Sequence, residues 1–271
     1  MDAMTVILEA RALTKSYGDT PALAGIDLSI QAGEAVAIMG ASGSGKTTLL
    51  HVLAGIIAPD SGSMLLRSER GEIAIGQLGD RARSALRRET FGFVFQQGLL
   101  IPELTALENV ALPLMLRGTA RRDAEQLAAR WLAELGLAGL EQRRIGQLSG
   151  GQAQRVAVAR AQSIEPLVVF ADEPTGALDS ATSGEVMDAL IASTTGRGRT
   201  LVVVTHDEGI AARCGRVVRL RDGGVVESRS RVGEFEYSQV SAPIAPVPAA
   251  PGPAAPVPAV PVPAAHQGDD R

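Results

Sequence analysis

The sequence predicts an α/β fold around a mostly parallel sheet, and three observations carry that prediction. Three short apolar runs, at residues 34–39, 167–171 and 201–205, suit strands buried on both faces. Each run ends directly in residues able to handle phosphate or protons: a glycine-rich loop, Asp172-Glu173, and His206-Asp207. Open parallel sheets bind ligands beyond the carboxyl ends of their strands, so the three groups are expected to converge there.

The first run leads into Gly40-Ala41-Ser42-Gly43-Ser44-Gly45-Lys46-Thr47-Thr48, and a helical pattern follows as far as Ala54, where Gly55 stops it. Strand, glycine-rich loop and helix in that order give the G-x-x-x-x-G-K-[ST] motif the setting it requires. The glycines let backbone amides turn inward around an anion, and the helix N-terminus adds partial positive charge. Lys46 is placed to reach the β- and γ-phosphates of a nucleotide, and the Thr47 hydroxyl to ligate Mg²⁺. The chain contains only two lysines, Lys15 and Lys46, so their scarcity argues against a chance match.

The second run would deliver Asp172 to the Mg²⁺ shell and Glu173 to a water poised for in-line attack on the γ-phosphate. The turn residues Pro174-Thr175-Gly176 fix the direction in which the chain leaves the strand. His206, after the third run, is a weak signal alone; beside the other two it is expected to contact the γ-phosphate and the attacking water.

Elsewhere the elements follow from pattern. Residues 26–31 alternate apolar and polar, as a half-exposed strand of an antiparallel sheet does. The stretch from Met64 to Gly79 reads as a slightly long hairpin. Thr105-Ala106-Leu107-Glu108 has the form of a capping box, and Gly118 can end that helix. From Asp123 to Leu135 a stripe containing Leu127, Trp131 and Leu135 recurs at helical spacing, and is expected to be core. Ser149 suits the N-cap of a further helix, which would turn amides and a helix dipole toward phosphate. Residues 216–220 and 225–227 flank Asp222-Gly223-Gly224, a hairpin signal.

Composition sets outer limits. The 271 residues suffice for one large domain with subdomains. No apolar run approaches the 18 or more residues that span a bilayer, and the first ten residues lack the pattern of a signal peptide. The single cysteine, Cys214, excludes an internal disulfide and reads as a small buried residue. A net charge of −4 gives no electrostatic reason to expect a nucleic-acid partner. From Ser241 the character changes: nine of the fifteen prolines lie between Pro243 and Pro263, mixed with Ala and Val. Such a segment is expected to be a disordered, partly polyproline-II tail.

Leu148-Ser149-Gly150-Gly151-Gln152, followed by Arg155, resembles the signature of ATP-binding cassette (ABC) ATPases. Other motifs of that family occur in order. Tyr17 looks like the A-loop aromatic that stacks on adenine, Gln96 like the Q-loop glutamine, Ala177-Leu178-Asp179 like the D-loop, and His206 like the switch histidine. The resemblance covers about residues 5–230. It implies a P-loop NTPase of ABC type, with a RecA-like core, an N-terminal antiparallel β subdomain and an α-helical signature subdomain at about residues 97–163. The cassette would occupy residues 1–232 and the proline-rich tail residues 233–271. The resemblance further implies catalysis by Glu173, His206 and Gln96, with Mg²⁺ held by Thr47, Gln96 and Asp172. Two ATP molecules would be sandwiched in a head-to-tail homodimer, each gripped by residues 40–48 of one chain and by Ser149, Gly150, Gly151 and Gln152 of the other.

Finer wording in residues 92–97, 104–110 and 171–179 is similar to the lipoprotein-releasing, macrolide-export and cell-division ABC ATPases. That similarity implies a separate membrane permease with four transmembrane helices and a large extracytoplasmic domain, and an ATPase held by it at the cytoplasmic face of the membrane. Ala177 and Gln162 depart from the subgroup's usual Asn and Leu. The alternatives are an amino-acid-importer ATPase, which shares part of this wording, and a soluble ABC ATPase acting on nucleic acid or ribosomes. Against the latter, the hundred residues between phosphate loop and signature lack sustained heptads, and the chain holds one cassette.

Overall fold

The computed structural model describes residues 5–69 and 71–230. A six-stranded sheet runs in the order β10 (Gly224–Ser230), β9 (Arg216–Arg221), β3 (Ala35–Gly40), β8 (Thr200–Val204), β7 (Val168–Asp172) and β6 (Phe91–Phe95). All neighbours pair in parallel except the β9–β10 hairpin. The hairpin turns through Asp222 and Gly223, both at positive φ, the backbone that a two-residue Asp-Gly connection requires.

The apolar runs have no polar face because each side of this sheet is covered. Ala35, Ala37 and Met39 pack on one side, together with Val169, Ala171, Leu201 and Val203. Val36 and Ile38 pack on the other, with Val168, Phe170, Val202 and Val204. The first side is roofed by α3 (Ala106–Leu116), α4 (Arg121–Glu134), α5 (Gly150–Gln162) and α6 (Ser180–Thr194). The second carries α1 (Lys46–Leu53) and an antiparallel sheet in the order β2 (Thr20–Gln31), β1 (Val6–Tyr17), β4 (Ser61–Ser68) and β5 (Gly71–Ala74). In β2 the expected alternation holds: Ile26, Leu28 and Ile30 are buried while Asp27 is exposed.

Helix ends follow local chemistry. The Thr105 hydroxyl accepts from the Glu108 amide at 3.1 Å, and the Glu108 carboxylate accepts from the Thr105 amide at 3.0 Å, a complete capping box. Two expectations need correction. Leu127 is not core: it is 38% exposed, because the buried stripe of α4 runs through Ala124, Ala128, Trp131 and Leu132 and on to Leu135 just past the helix, leaving Leu127 at its margin. The second is the hairpin expected from Met64 to Gly79: it is formed by Ser61–Ser68 and Gly71–Ala74, and the chain then leads into α2 (Asp80–Thr90), a helix too polar to stand out as periodic. Cys214 is buried as expected, and burial pushes its thiol up to about 12. The expectations for residues 233–271 lie outside the described residues.

Candidate nucleotide site

The phosphate loop leaves β3 at the sheet's centre, where strand order reverses, and is pinned by backbone from three directions. A Cβ on Gly40 would lie 2.4 Å from the Leu220 carbonyl oxygen, and one on Gly45 2.2 Å from that of Ala22. The Gly223 amide donates to the Ser44 carbonyl at 3.3 Å. Gly43 and Gly45 hold left-handed backbone, which turns amides toward the loop's centre at no side-chain cost. The Ser44 hydroxyl, buried against Gly40, finds no hydrogen-bond partner among the described residues. A tight cradle with an orphan hydroxyl fits a bound phosphate.

A cleft of about 740 Å³ opens over this loop. Gly40, Ala41, Ser42, Gly43, Gly45, Lys46, Thr47 and Thr48 form its floor, Glu173 and His206 one wall, and Tyr17 its mouth. The Lys46 ammonium donates to the Ala41 carbonyl at 2.7 Å, curled over the cradle. The Thr47 hydroxyl donates to Asp172 Oδ1 at 3.3 Å, so the two expected metal ligands already stand side by side. An alcohol next to a carboxylate suits a hard, oxygen-seeking cation such as Mg²⁺. Burial pushes the Asp172 carboxyl above the usual range, against the pull of nearby His51 and the Thr47 hydrogen bond. A divalent cation would reverse that penalty.

Glu173 stands one residue past β7 with φ 46°, and its amide donates to the Val204 carbonyl at 2.9 Å. Left-handed backbone at a non-glycine residue costs on the order of 1–2 kcal/mol, a strain that clusters at functional positions. It leaves Glu173 Oε1 at 2.8 Å from His206 Nδ1, a carboxylate and an imidazole in contact across two strands. Gln96, exposed just after β6, lies against the turn that follows Glu173: a Cβ on Gly176 would sit 2.9 Å from its Nε2. Tyr17 lines the cleft and is 52% exposed, an aromatic ring on which a flat ligand can stack.

The chain does not bring Ser149, Gly150, Gly151 and Gln152 to this cleft. They sit instead at the N-terminus of α5, packed on the start of α6. A Cβ on Gly150 would meet Leu178 at 3.1 Å, and one on Gly151 the Thr182 methyl at 2.4 Å. The Ser149 hydroxyl accepts from the Gln152 amide at 3.2 Å, and Gln152 Oε1 accepts from the Ser149 amide at 2.9 Å. The cap therefore occupies the Gln152 oxygen, while exposed Ser149 and Gly150 face outward. Residues that the sequence left unmarked also shape the cleft. Thr20, Pro21 and Ala22 line it beside Tyr17, and only their position after that tyrosine could have pointed to them.

Comparison with known proteins gives one consistent picture. The family model described as ABC transporter matches residues 23–176. The lipoprotein-releasing system ATP-binding protein LolD of Geobacter metallireducens is 47% identical over 227 residues, covering 82% of this chain and 99% of that protein. The macrolide export ATP-binding/permease protein MacB of Hyphomonas neptunium is 42% identical, over 81% of this chain and 34% of its own length. Among solved structures, the dimeric bacterial ABC transporter cassette MJ0796 superposes with a TM-score of 0.76 at 38% identity, covering 84% of this chain and all of that one. The same cassette in a dimeric post-hydrolysis state bound to ADP and Pi gives 0.75.

Proposed function

Because this chain belongs to the ABC transporter family and is an ATP-binding, ATP-hydrolysing subunit of such a system, we propose how its own residues divide that work. Residues 40–48 hold the triphosphate, Tyr17 stacks on the base, and Thr47, Asp172 and Gln96 hold Mg²⁺. The cation, when bound, neutralises charge on the phosphate oxygens. Glu173 accepts a proton from the attacking water, and His206 orients that water and the terminal phosphate.

One observation carries the rest. The signature turn is geometrically finished, capped and packed, yet it lies outside the cleft that its own chain builds. Exposed Ser149 and Gly150 meet no phosphate in the cleft of their own chain, and a second copy supplies one. ATP then favours the closed pair because only that state makes both sets of contacts. After hydrolysis the γ-phosphate no longer bridges the halves, and the pair opens. The dimeric relatives, one of them bound to ADP and Pi, support this reading.

The finer reading follows the same relatives. The ATP-binding/permease proteins carry a permease in the same chain, and this chain spans about a third of their length. No helix among the described residues is long and apolar enough to cross a membrane. We infer a separate permease of four spans with a large extracytoplasmic domain, an ATPase docked on it at the cytoplasmic face, and work of export, lipoprotein extraction or mechanotransmission. A co-purifying permease with six spans and no outer domain would move the reading to an importer. The central test is Glu173→Gln: phosphate release should fall at least about 100-fold, ATP binding should persist, and sedimentation with Mg-ATP should show a dimer. A variant that stays monomeric at saturating nucleotide would overturn the sandwich.

A further inference from the structure

The helix that begins at the signature turn also holds the segment after Gln96 by its side. Gln154, Ala157 and Arg160, spaced three apart, form one stripe along α5. Gln154 Nε2 donates to the Phe95 carbonyl at 3.0 Å. The Ala157 Cβ is 3.5 Å from where a Cβ on Gly98 would stand. The Arg160 guanidinium donates to the Gly98 carbonyl at 2.6 Å and to the Leu99 carbonyl at 2.7 Å.

Those two carbonyls belong to an unusual backbone. Gly98 and Leu99 are both left-handed, at φ 66° and 45°, and Leu99 has a Cβ that disfavours this region. The strain aims an apolar side chain outward: Leu99 is 59% exposed, with Ile101 exposed beside it. Such a conformation persists only where its surroundings over-determine it, and the Arg160 fork does so with two charged donors. Arg160 gains no carboxylate in return, since no ion pair forms to it among the described residues, and burial pulls its guanidinium down. Nothing in the nucleotide cleft uses it.

We infer that Arg160 is a positioning residue that locks the segment bearing Leu99 to the signature helix, so that whatever draws the signature turn onto a partner's nucleotide moves Leu99 with it. The inference rests on the sandwich reading above. Ser149 to Arg160 is roughly 16 Å along a rigid helix, so the two ends move as one body. Gln154 and Arg160 fasten that body to the strand end at Phe95 and to the exposed apolar tip at Leu99. The segment after the Q-loop glutamine thereby reports on the far chain's nucleotide as well as on its own.

The test places a nitroxide on Leu99→Cys in the full-length Glu173→Gln chain. Buried Cys214, its thiol raised to about 12, does not compete for the label. With Arg160 intact, Mg-ATP should change the label's mobility as the dimer forms. Arg160→Gln should lose that change while sedimentation still shows the dimer, and Arg160→Lys, a donor without the fork, should restore part of it. With Glu173 intact, ATPase activity of the chain alone should be unchanged by Arg160→Gln. An Arg160→Gln dimer that keeps the full spectral change overturns the inference and leaves the sandwich standing. A Glu173→Gln chain with Arg160 intact that never dimerises overturns both. Should Arg160→Gln fail to fold, Arg160→Lys carries the same decision: an undiminished change in its dimer overturns the inference.

Discussion

The cleft over the phosphate loop and the turn at the start of α5 are built to the same standard and complete to different degrees. Both are tight glycine turns, in which a Cβ on Gly40, Gly45 or Gly151 would come within 2.4 Å of a neighbouring atom, and both open a helix. The cleft gathers its floor, its wall and its aromatic mouth from one chain. The signature turn gathers only its own cap and the packing of α6 beneath it. Shape complementarity within one chain thus explains the first region and leaves the second without a reason unless a partner provides it.

The sharpest way to break this comparison is to damage each region alone. Lys46→Ala removes the ammonium over the cradle, and ATP affinity should fall by roughly 10- to 100-fold, the cost of losing a charged phosphate contact. Gly151→Ala puts a methyl group 2.4 Å from the Thr182 methyl and must turn that side chain off its bond to Asp179 or displace the turn or α6. The cleft of that chain is untouched, so ATP affinity of the monomer should stay within about twofold while steady-state turnover falls about tenfold or more. Equilibrium nucleotide binding beside phosphate release separates the two. If Gly151→Ala weakens monomer binding as much as Lys46→Ala does, the turn belongs to its own chain's site and the comparison fails.

How much of this was legible depended on whether a residue's task is local. The phosphate loop, the strands on either side of it and the caps at Thr105 and Ser149 are fixed by neighbours within a few positions, and pattern finds them. Leu127 was misplaced because periodicity cannot say how wide a buried stripe is, and here the small Ala124 and Ala128 occupy its centre. Helix α2 was missed because its arginines leave one buried apolar residue, Leu86, too few for a period to emerge. The backbone clamp on the loop from Ala22 and Leu220 was unreadable for a different reason: carbonyls at such sequence distance carry no residue signal. The hold of Arg160 on Gly98 and Leu99 is hidden in the same way.

A smaller effect sharpens the electrostatics of the cleft. The Asp172 carboxyl is raised by burial, so the folded chain disfavours its charged form. Below the ordinary carboxylate range both folded and unfolded chains hold the proton and there is no penalty. As pH rises through that range toward the raised folded value the unfolded chain ionises first, and stability is lost. Asp172→Asn should therefore raise the nucleotide-free melting temperature at neutral pH, by roughly 1–2 °C because Asp172 is only half-buried and solvent screens it. The gain should vanish on acidification. A neutral-pH destabilisation would mean that Asp172 is already well paired by His51 and Thr47, and that the cleft is electrostatically complete before any cation arrives.

The smallest effect concerns the far end of α5, and it asks whether this helix is held to α6 by a specific bond or by packing alone. Gln162 is buried where the resembling subgroup carries Leu, and its amide nitrogen reaches the Ser193 hydroxyl at 3.3 Å and that of Thr194 more closely. Replacing it with Leu deletes a hydrogen bond worth about 1 kcal/mol net and restores apolar burial of similar size. The Thr194 hydroxyl is not orphaned, because it donates to the Leu190 carbonyl at 2.7 Å. The two terms oppose each other, so Gln162→Leu should shift the melting temperature by less than about 2 °C and leave ATP affinity untouched. A loss of several degrees would mean that the amide bond fixes the angle between α5 and α6. The signature turn, which rests on α6 at Thr182, would then owe its position to Gln162 as well as to its own glycines.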